Sequence, residues 1–204
     1  IPVAGALGKN VTFVGRGRLP ERPIGDYLRL LPEHNVACHS GGGLPLTISG
    51  QLTGGTFELA GDVSSQYITG LLLALPILRE DSKIVLTTPL QSKPYVDMTV
   101  KVMSDFGVEV EETDYGYFVR GNQKYTPCDY IVESDWSQAA FFLVAGAICG
   151  DVTLKGLDLS STQGDKEIVN VLKKFGCNIV ADENFVRATK SQLKAITVDA
   201  TDIP

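Results

Sequence analysis

This sequence has no CxxC pair. Its four cysteines, Cys38, Cys128, Cys149 and Cys177, lie far apart, and its two histidines, His34 and His39, make no recognisable zinc spacing with them. The cysteines therefore read as buried free thiols of a reducing compartment, which points to the cytoplasm. Basic excess is missing too: 18 Lys and Arg face 24 Asp and Glu, for a net charge of -6. A wide nucleic-acid surface rests on positive charge, so that class is disfavoured, while a local basic pocket for a small anion is not. No apolar run reaches the ~20 residues of a membrane span. No block of like charge marks a disordered tail, and 44% hydrophobic residues fit a packed globular chain. The opening stretch, IPVAGALGKN, has no basic region ahead of an apolar one, so it does not read as a signal peptide. It also lacks a starting Met, and the chain reads as a piece of something longer.

What is present centres on Gly61 to Tyr95. A polar turn, Asp62-Val63-Ser64-Ser65-Gln66, precedes Ile68, Leu71, Leu72 and Leu75 at i, i+3, i+4, i+7, the spacing of a helix with one buried face. Hydroxyls and an amide thus stand where a helix begins. There the unpaired N–H groups and partial positive charge attract anions, phosphate included. A strand-like run, Ile84 to Thr87, leads to a second polar turn, Ser92-Lys93-Pro94-Tyr95, which opens another helix. Either turn alone also reads as an ordinary N-cap. Two in succession point further towards an anion site.

At 204 residues the chain suits one large domain or two small ones. Its grammar repeats. Strand Thr56–Ala60, helix Ser64–Leu78, strand Lys83–Thr88, helix Pro94–Phe106 and strands Glu109–Thr113 and Tyr117–Arg120 make one βαβαββ unit. A second reads as strand Tyr130–Glu133, helix Ser137–Cys149, strand Val152–Lys155, a helix opened by Ser161 to Asp165, and strands Asn178–Ala181 and Phe185–Thr189. Matched Phe106-Gly107 and Phe175-Gly176 stops set the register. A partial copy precedes them: strand Val11–Gly15, helix Pro23–Leu31, and strands Asn35–Ser40 and Leu44–Ser49. One helix in each full copy, Ser64–Leu78 or Ser137–Cys149, is apolar on nearly all sides and belongs inside its unit. Units packed through such helices would set many helix starts on one working face. Asp62 and Asp135 read as turn and cap residues, and Arg16 and Arg18 as surface charge.

ERPIGD (Glu21–Asp26), GDVSSQ (Gly61–Gln66), SKPYVD (Ser92–Asp97), DFGVEV (Asp105–Val110) and TQGD (Thr162–Asp165) resemble the 5-enolpyruvylshikimate-3-phosphate synthase family, in the family's order. The resemblance implies an α/β fold of repeated βαβαββ units forming inside-out α/β barrel lobes, with the site in the cleft between two lobes. Residues 1–133 would be part of the first lobe and 134–204 the start of the second, with the crossing near Tyr125–Glu133. It implies transfer of the enolpyruvyl group of phosphoenolpyruvate to the 5-hydroxyl of shikimate 3-phosphate, releasing phosphate, on the shikimate route to chorismate and aromatic amino acids. Glyphosate would compete with phosphoenolpyruvate.

Carried over by position, the resemblance gives Ser64, Ser65, Gln66, Ser92 and Tyr95 to shikimate 3-phosphate, and Arg22 with Gln66 to phosphoenolpyruvate. The chemistry agrees. Hydroxyls and helix-start N–H groups donate to phosphate, an amide both donates and accepts, and a guanidinium forks onto an anion. Arg22 also reads as a solvated charge, Ser92 as a cap and Tyr95 as a packed aromatic. Trp136 and Gln138 depart from the small residues usual in the second unit's opening turn. No metal or cofactor is implied, and no nucleic acid or membrane partner. The family's general-base Asp would directly follow Ile203-Pro204, so the chain would hold no catalytic residue of its own and need the rest of its polypeptide to turn over. Two other readings stand beside this one: a non-catalytic module that binds a phosphorylated small molecule, and the sister transferase acting on UDP-N-acetylglucosamine.

Overall fold

The computed structural model describes residues 1–198, which divide into two compact units with the boundary between Cys128 and Asp129. Ile203 and Pro204, which the sequence reading tied to a following aspartate, lie outside the described residues.

The first unit opens with a short helix α1 (Pro2–Ala6) that the sequence reading did not assign. Strand β1 (Val11–Phe13), helix α2 (Gly25–Glu33) and strands β2 (Val36–Ser40) and β3 (Leu46–Gly50) follow, and the three strands form an antiparallel sheet in the order β1-β3-β2. Next come β4 (Gly55–Leu59), α3 (Ser65–Ala74), β5 (Ser82–Leu86), α4 (Lys93–Asp105), β6 (Glu111–Thr113) and β7 (Gly116–Val119). Their sheet runs β4-β5-β7-β6, with β4 and β5 parallel and the other pairs antiparallel. The βαβαββ reading of this stretch holds. A 3₁₀ turn, Leu75–Ile77, forms the end of the helix expected to reach Leu78.

The second unit contains α5 (Trp136–Cys149), β8 (Asp151–Lys155), α6 (Ile168–Lys174), β9 (Asn178–Ala181) and β10 (Phe185–Thr189), with sheet order β8-β10-β9. That is the β5-β7-β6 arrangement again, and β1-β3-β2 is the same pattern. The strand expected at Tyr130–Glu133 is not formed. Ile131 is 92% exposed, and Glu133 is held through its side chain, which accepts from Ser161 and Gln163, rather than through a backbone ladder. A run of apolar letters was mistaken there for a buried strand.

The repeats end their second helices alike. In α4, Gly107 N–H donates to Ser104 O and Val108 N–H to Met103 O; in α6, Gly176 N–H donates to Lys173 O and Cys177 N–H to Leu172 O, each bond 2.9 Å. This is the Schellman closure, which needs a left-handed residue after the cap. Gly107 and Gly176 supply it at φ 78° and 87°, and Asn35 at φ 64° does the same after α2.

Helix α3 is the centre of the first unit, with α1 and α4 packed along it; Ile68, Leu71, Leu72 and Leu75 are wholly buried. The equivalent expectation for α5 fails on one face. Leu143 and Ala147 are buried, but Phe141 is 72% exposed and Phe142 and Ile148 each 57%. Within its own unit the helix has a sheet on one side only, since it packs on β8 and β10. Thiol burial is also less general than expected: all four cysteines are free, but only Cys177 is buried, while Cys128 and Cys149 are exposed. Among the described residues no helix is long and apolar enough to cross a membrane.

Candidate active site

Strands β4 and β5 lie parallel, so α3 and α4, which follow them, both begin beyond the strands' carboxyl ends. Sites in α/β folds gather at such an edge. The two loops leading into these helices are stitched together. Thr88 Oγ1 donates to Asp62 Oδ1 at 2.7 Å and accepts from Gly61 N–H at 2.9 Å, and Gln91 N–H donates to Gly61 O at 3.0 Å. A side chain at position 61 would meet Thr88 O at 2.7 Å and Leu90 Cα at 2.9 Å, so only glycine lets the loops approach this closely. Asp62 is therefore a turn residue whose carboxylate is bonded to Thr88.

Ser64 caps α3, its Oγ accepting from Gln66 N–H at 3.3 Å. Its hydroxyl proton stays available to a ligand. Ser92 precedes α4 in the left-handed region at φ 56°, and its side chain makes no cap bond. Such strain in a non-glycine residue costs of order 1–3 kcal/mol and concentrates at functional positions. Lys93, which follows, does not reach for an external anion. It is bonded to Asp97 and Glu112, tying the start of α4 to β6. Partial burial works against the Lys93 charge, but its bonds to Asp97 and Glu112 outweigh that and raise its pKa.

The structure brings Arg22, Ser64 and Gln66 to one hollow of about 500 Å³, walled also by Val63, Tyr27 and Tyr67. Ser65, Ser92 and Tyr95 do not line that hollow; each is half-buried at or next to one of the two neighbouring helix starts. Ser65 and Tyr95 each lie one turn before a threonine, Thr69 and Thr99, whose hydroxyls meet at 3.3 Å between α3 and α4. Residues four apart share a helix face, so Ser65 and Tyr95 stand on the facing sides of the two helices. Arg22 is exposed, and Arg18 makes a 4.0 Å solvent-facing contact with Glu21. Tyr27 and Tyr67 escaped the sequence reading as site residues, because an aromatic on a helix's apolar face usually signals core.

The second unit closes the corresponding features on itself. Asp135 caps α5, its Oδ1 accepting from Gln138 N–H at 3.1 Å. Trp136, which broke the small-residue pattern, is fully buried and donates from Nε1 to Asp158 O at 3.0 Å. The TQGD stretch latches this turn: Gln163 accepts from Trp136 N–H at 2.9 Å, and Asp165 accepts from Ser137 Oγ at 2.7 Å. Among the described residues no group of three His, Cys, Asp or Glu side chains could hold a metal.

The family model of EPSP synthase (3-phosphoshikimate 1-carboxyvinyltransferase) matches residues 1–204. Curated relatives named 3-phosphoshikimate 1-carboxyvinyltransferase include one from Clostridium novyi, 45% identical over 100% of this chain and 47% of its own length. Another, from Clostridium kluyveri, is 44% identical over 100% of this chain and 48% of its own. The chain spans about half the length of the curated relatives it matches. Among solved structures, EPSP synthase from Acinetobacter baumannii superposes with a TM-score of 0.74 at 23% identity, covering 99% of this chain and 47% of that one. The enolpyruvyl transferase NikO from Streptomyces tendae gives 0.62 at 16% identity, over 82% of this chain and 42% of that one. These two show the fold, and it is that of the enolpyruvyl transferases. With its motifs in order and the family model matched from end to end, the chain belongs to the EPSP synthase (3-phosphoshikimate 1-carboxyvinyltransferase) family.

Proposed function

We propose that the polypeptide of which this chain is a part transfers the enolpyruvyl group of phosphoenolpyruvate to the 5-hydroxyl of shikimate 3-phosphate. The new bond joins that oxygen to the carbon carrying the phosphate, and inorganic phosphate leaves. The hydroxyl gives up a proton and C3 of phosphoenolpyruvate takes one as the bond forms, and C3 gives a proton back as phosphate leaves and the double bond returns, so the reaction needs a positioned acid and base. Those lie outside this chain's proposed share, which is to bind and orient.

In that share, Ser64, Ser65, Ser92 and Tyr95 hold the 3-phosphate at the paired starts of α3 and α4. Arg22 grips phosphoenolpyruvate with a planar fork of donors. Gln66, able to donate and accept, stands between the two substrates. The observation that carries this reading is the shared hollow of Arg22, Ser64 and Gln66 beside two adjacent helix starts. Residues 1–133 would then serve the first lobe and 134–204 the second. With shikimate 3-phosphate and phosphoenolpyruvate as small soluble substrates, the cytoplasm is the fitting compartment.

The test is phosphate release by the full-length polypeptide given phosphoenolpyruvate with either shikimate 3-phosphate or UDP-N-acetylglucosamine. Release with the first acceptor alone is the expected result. Release with the second alone, or with neither, overturns the reading. Arg22→Ala should raise the phosphoenolpyruvate requirement at least tenfold, since losing a charged hydrogen bond costs about 1.5–3 kcal/mol.

A further inference from the structure

We propose that Tyr67, braced by Tyr27, is a positioning residue that fixes the Arg22–Pro23 loop against the Ser64–Gln66 helix start. The proposal rests on the reading above, in which Arg22 serves phosphoenolpyruvate and the Ser64–Gln66 start serves shikimate 3-phosphate, with Gln66 between the two.

Tyr67 Oη donates to Pro23 O at 2.7 Å across 44 positions of sequence. Pro23 directly follows Arg22. The loop that carries Arg22 has no strand to hold it; it is a 3₁₀ turn at Leu19–Glu21, tied at Pro20 O to Leu44 N–H at 3.1 Å. The Tyr67 bond is its anchor at the other end. Tyr67 itself immediately follows Gln66, so one side chain links the residues next to both proposed ligand-binding groups.

Tyr27 completes the brace from α2. Its Oη lies 3.2 Å from both Gln66 O and Tyr67 O, and its ring meets that of Tyr67 edge to face with centroids 4.8 Å apart. Helix α3 makes room for this hydroxyl. At Gly70 a side-chain carbon would fall 2.1 Å from Tyr27 Oη, although glycine is a poor choice for a helix interior. Burial pushes both phenols above their ordinary pKa, with Tyr67 and Asp26 adding to the rise at Tyr27 and Asp26 to that at Tyr67. Both therefore keep the proton they donate. Neither hydroxyl is called on to touch the reacting atoms. Each acts by holding backbone whose side chains do.

The experiment is steady-state kinetics of the full-length polypeptide with Tyr67→Phe, which keeps the ring and removes the bond. The expected result is a three- to tenfold rise in KM for phosphoenolpyruvate, about the worth of one hydrogen bond, with KM for shikimate 3-phosphate nearly unchanged. In an Arg22→Ala background the same substitution should have little further effect, because its target is gone. Gly70→Ala, which displaces Tyr27, should reproduce the split without altering Tyr67. A rise of both KM values together, or full additivity with Arg22→Ala, would mean a general structural role and overturn the proposal. An active parent enzyme with unchanged KM in both variants overturns it alone; an inactive parent enzyme overturns it together with the functional reading.

Discussion

The hydroxyls of Thr69 and Thr99 meet at 3.3 Å between α3 and α4, one turn in from the helix starts that carry Ser65 and Tyr95. Thr99 spends its proton on Tyr95 O at 2.9 Å, so Thr69 is the donor in the pair. The contact fixes how far apart the two starts stand. Thr99→Val leaves the Thr69 hydroxyl without its acceptor and should cost about 1 kcal/mol, read as a lower urea midpoint. Replacing both threonines with valine removes both polar groups and should recover most of that loss. A double variant less stable than the single would show that the hydroxyl pair is not what sets the spacing.

Ser92 trades stability for its position. Held at φ 56°, it adopts backbone that glycine takes without strain. Ser92→Gly should therefore leave the melting temperature unchanged or raise it, by up to about 1 kcal/mol of stability. If Ser92 holds the 3-phosphate as proposed, the same substitution in the full-length polypeptide should weaken shikimate 3-phosphate binding about tenfold or more, the worth of a hydrogen bond to a charged group. Calorimetric binding and thermal unfolding on the same preparation measure both signs.

The sequence was legible where local chemistry and periodicity agree. The turn at Asp62 to Gln66, the helix that follows and the Phe106-Gly107 stop all read correctly, because capping and helix periodicity act over a few residues. Tyr130–Glu133 misled because a short apolar run cannot show whether a neighbouring strand accepts the ladder. Helix α1 was invisible because five residues are too few for a period. The role of Lys93 was not legible, because its partner Glu112 is 19 residues away on β6. Tyr27 and Tyr67 were missed for the same reason, as their partners lie 39 to 44 residues off.

Alkaline pH should loosen the first unit. Burial pushes the Tyr117 pKa from 10.0 up to about 12, with nearby Lys93 opposing and Glu112 and Asp97 reinforcing the rise. A group whose folded pKa is raised holds its proton more tightly when folded. Its stabilisation is complete below the unfolded value and is lost as pH climbs through the folded one. The raised Lys93 pKa has the same sign, with its contribution fading above 10.5. Stability should thus fall between pH 10 and about 12, together with the appearance of tyrosinate absorbance. Tyr117→Phe should flatten the fall. An unchanged slope in that variant would assign the transition to other groups.

The bare face of α5 carries the last prediction. Ser137-Gln138 matches Ser65-Gln66 in register, so Phe141 and Phe142 take the places of Thr69 and Gly70. In α3 those places are covered, Thr69 by Thr99 and Gly70 by Tyr27 and Pro2. In α5 they hold two phenylalanines, 72% and 57% exposed, with Ile148 at 57% one to two turns on. Each large apolar side chain gains about 1.5–3 kcal/mol on burial, and three on one helix make an adhesive stripe. The 204-residue chain should therefore self-associate as its concentration rises. Sedimentation velocity should show the average mass increasing, and Phe141→Lys with Ile148→Lys should return it to the monomer. Because both side chains point to solvent within their own unit, the double variant should keep its helical circular dichroism. A parent chain that stays monomeric at high concentration would show that this face is not adhesive, whatever its composition.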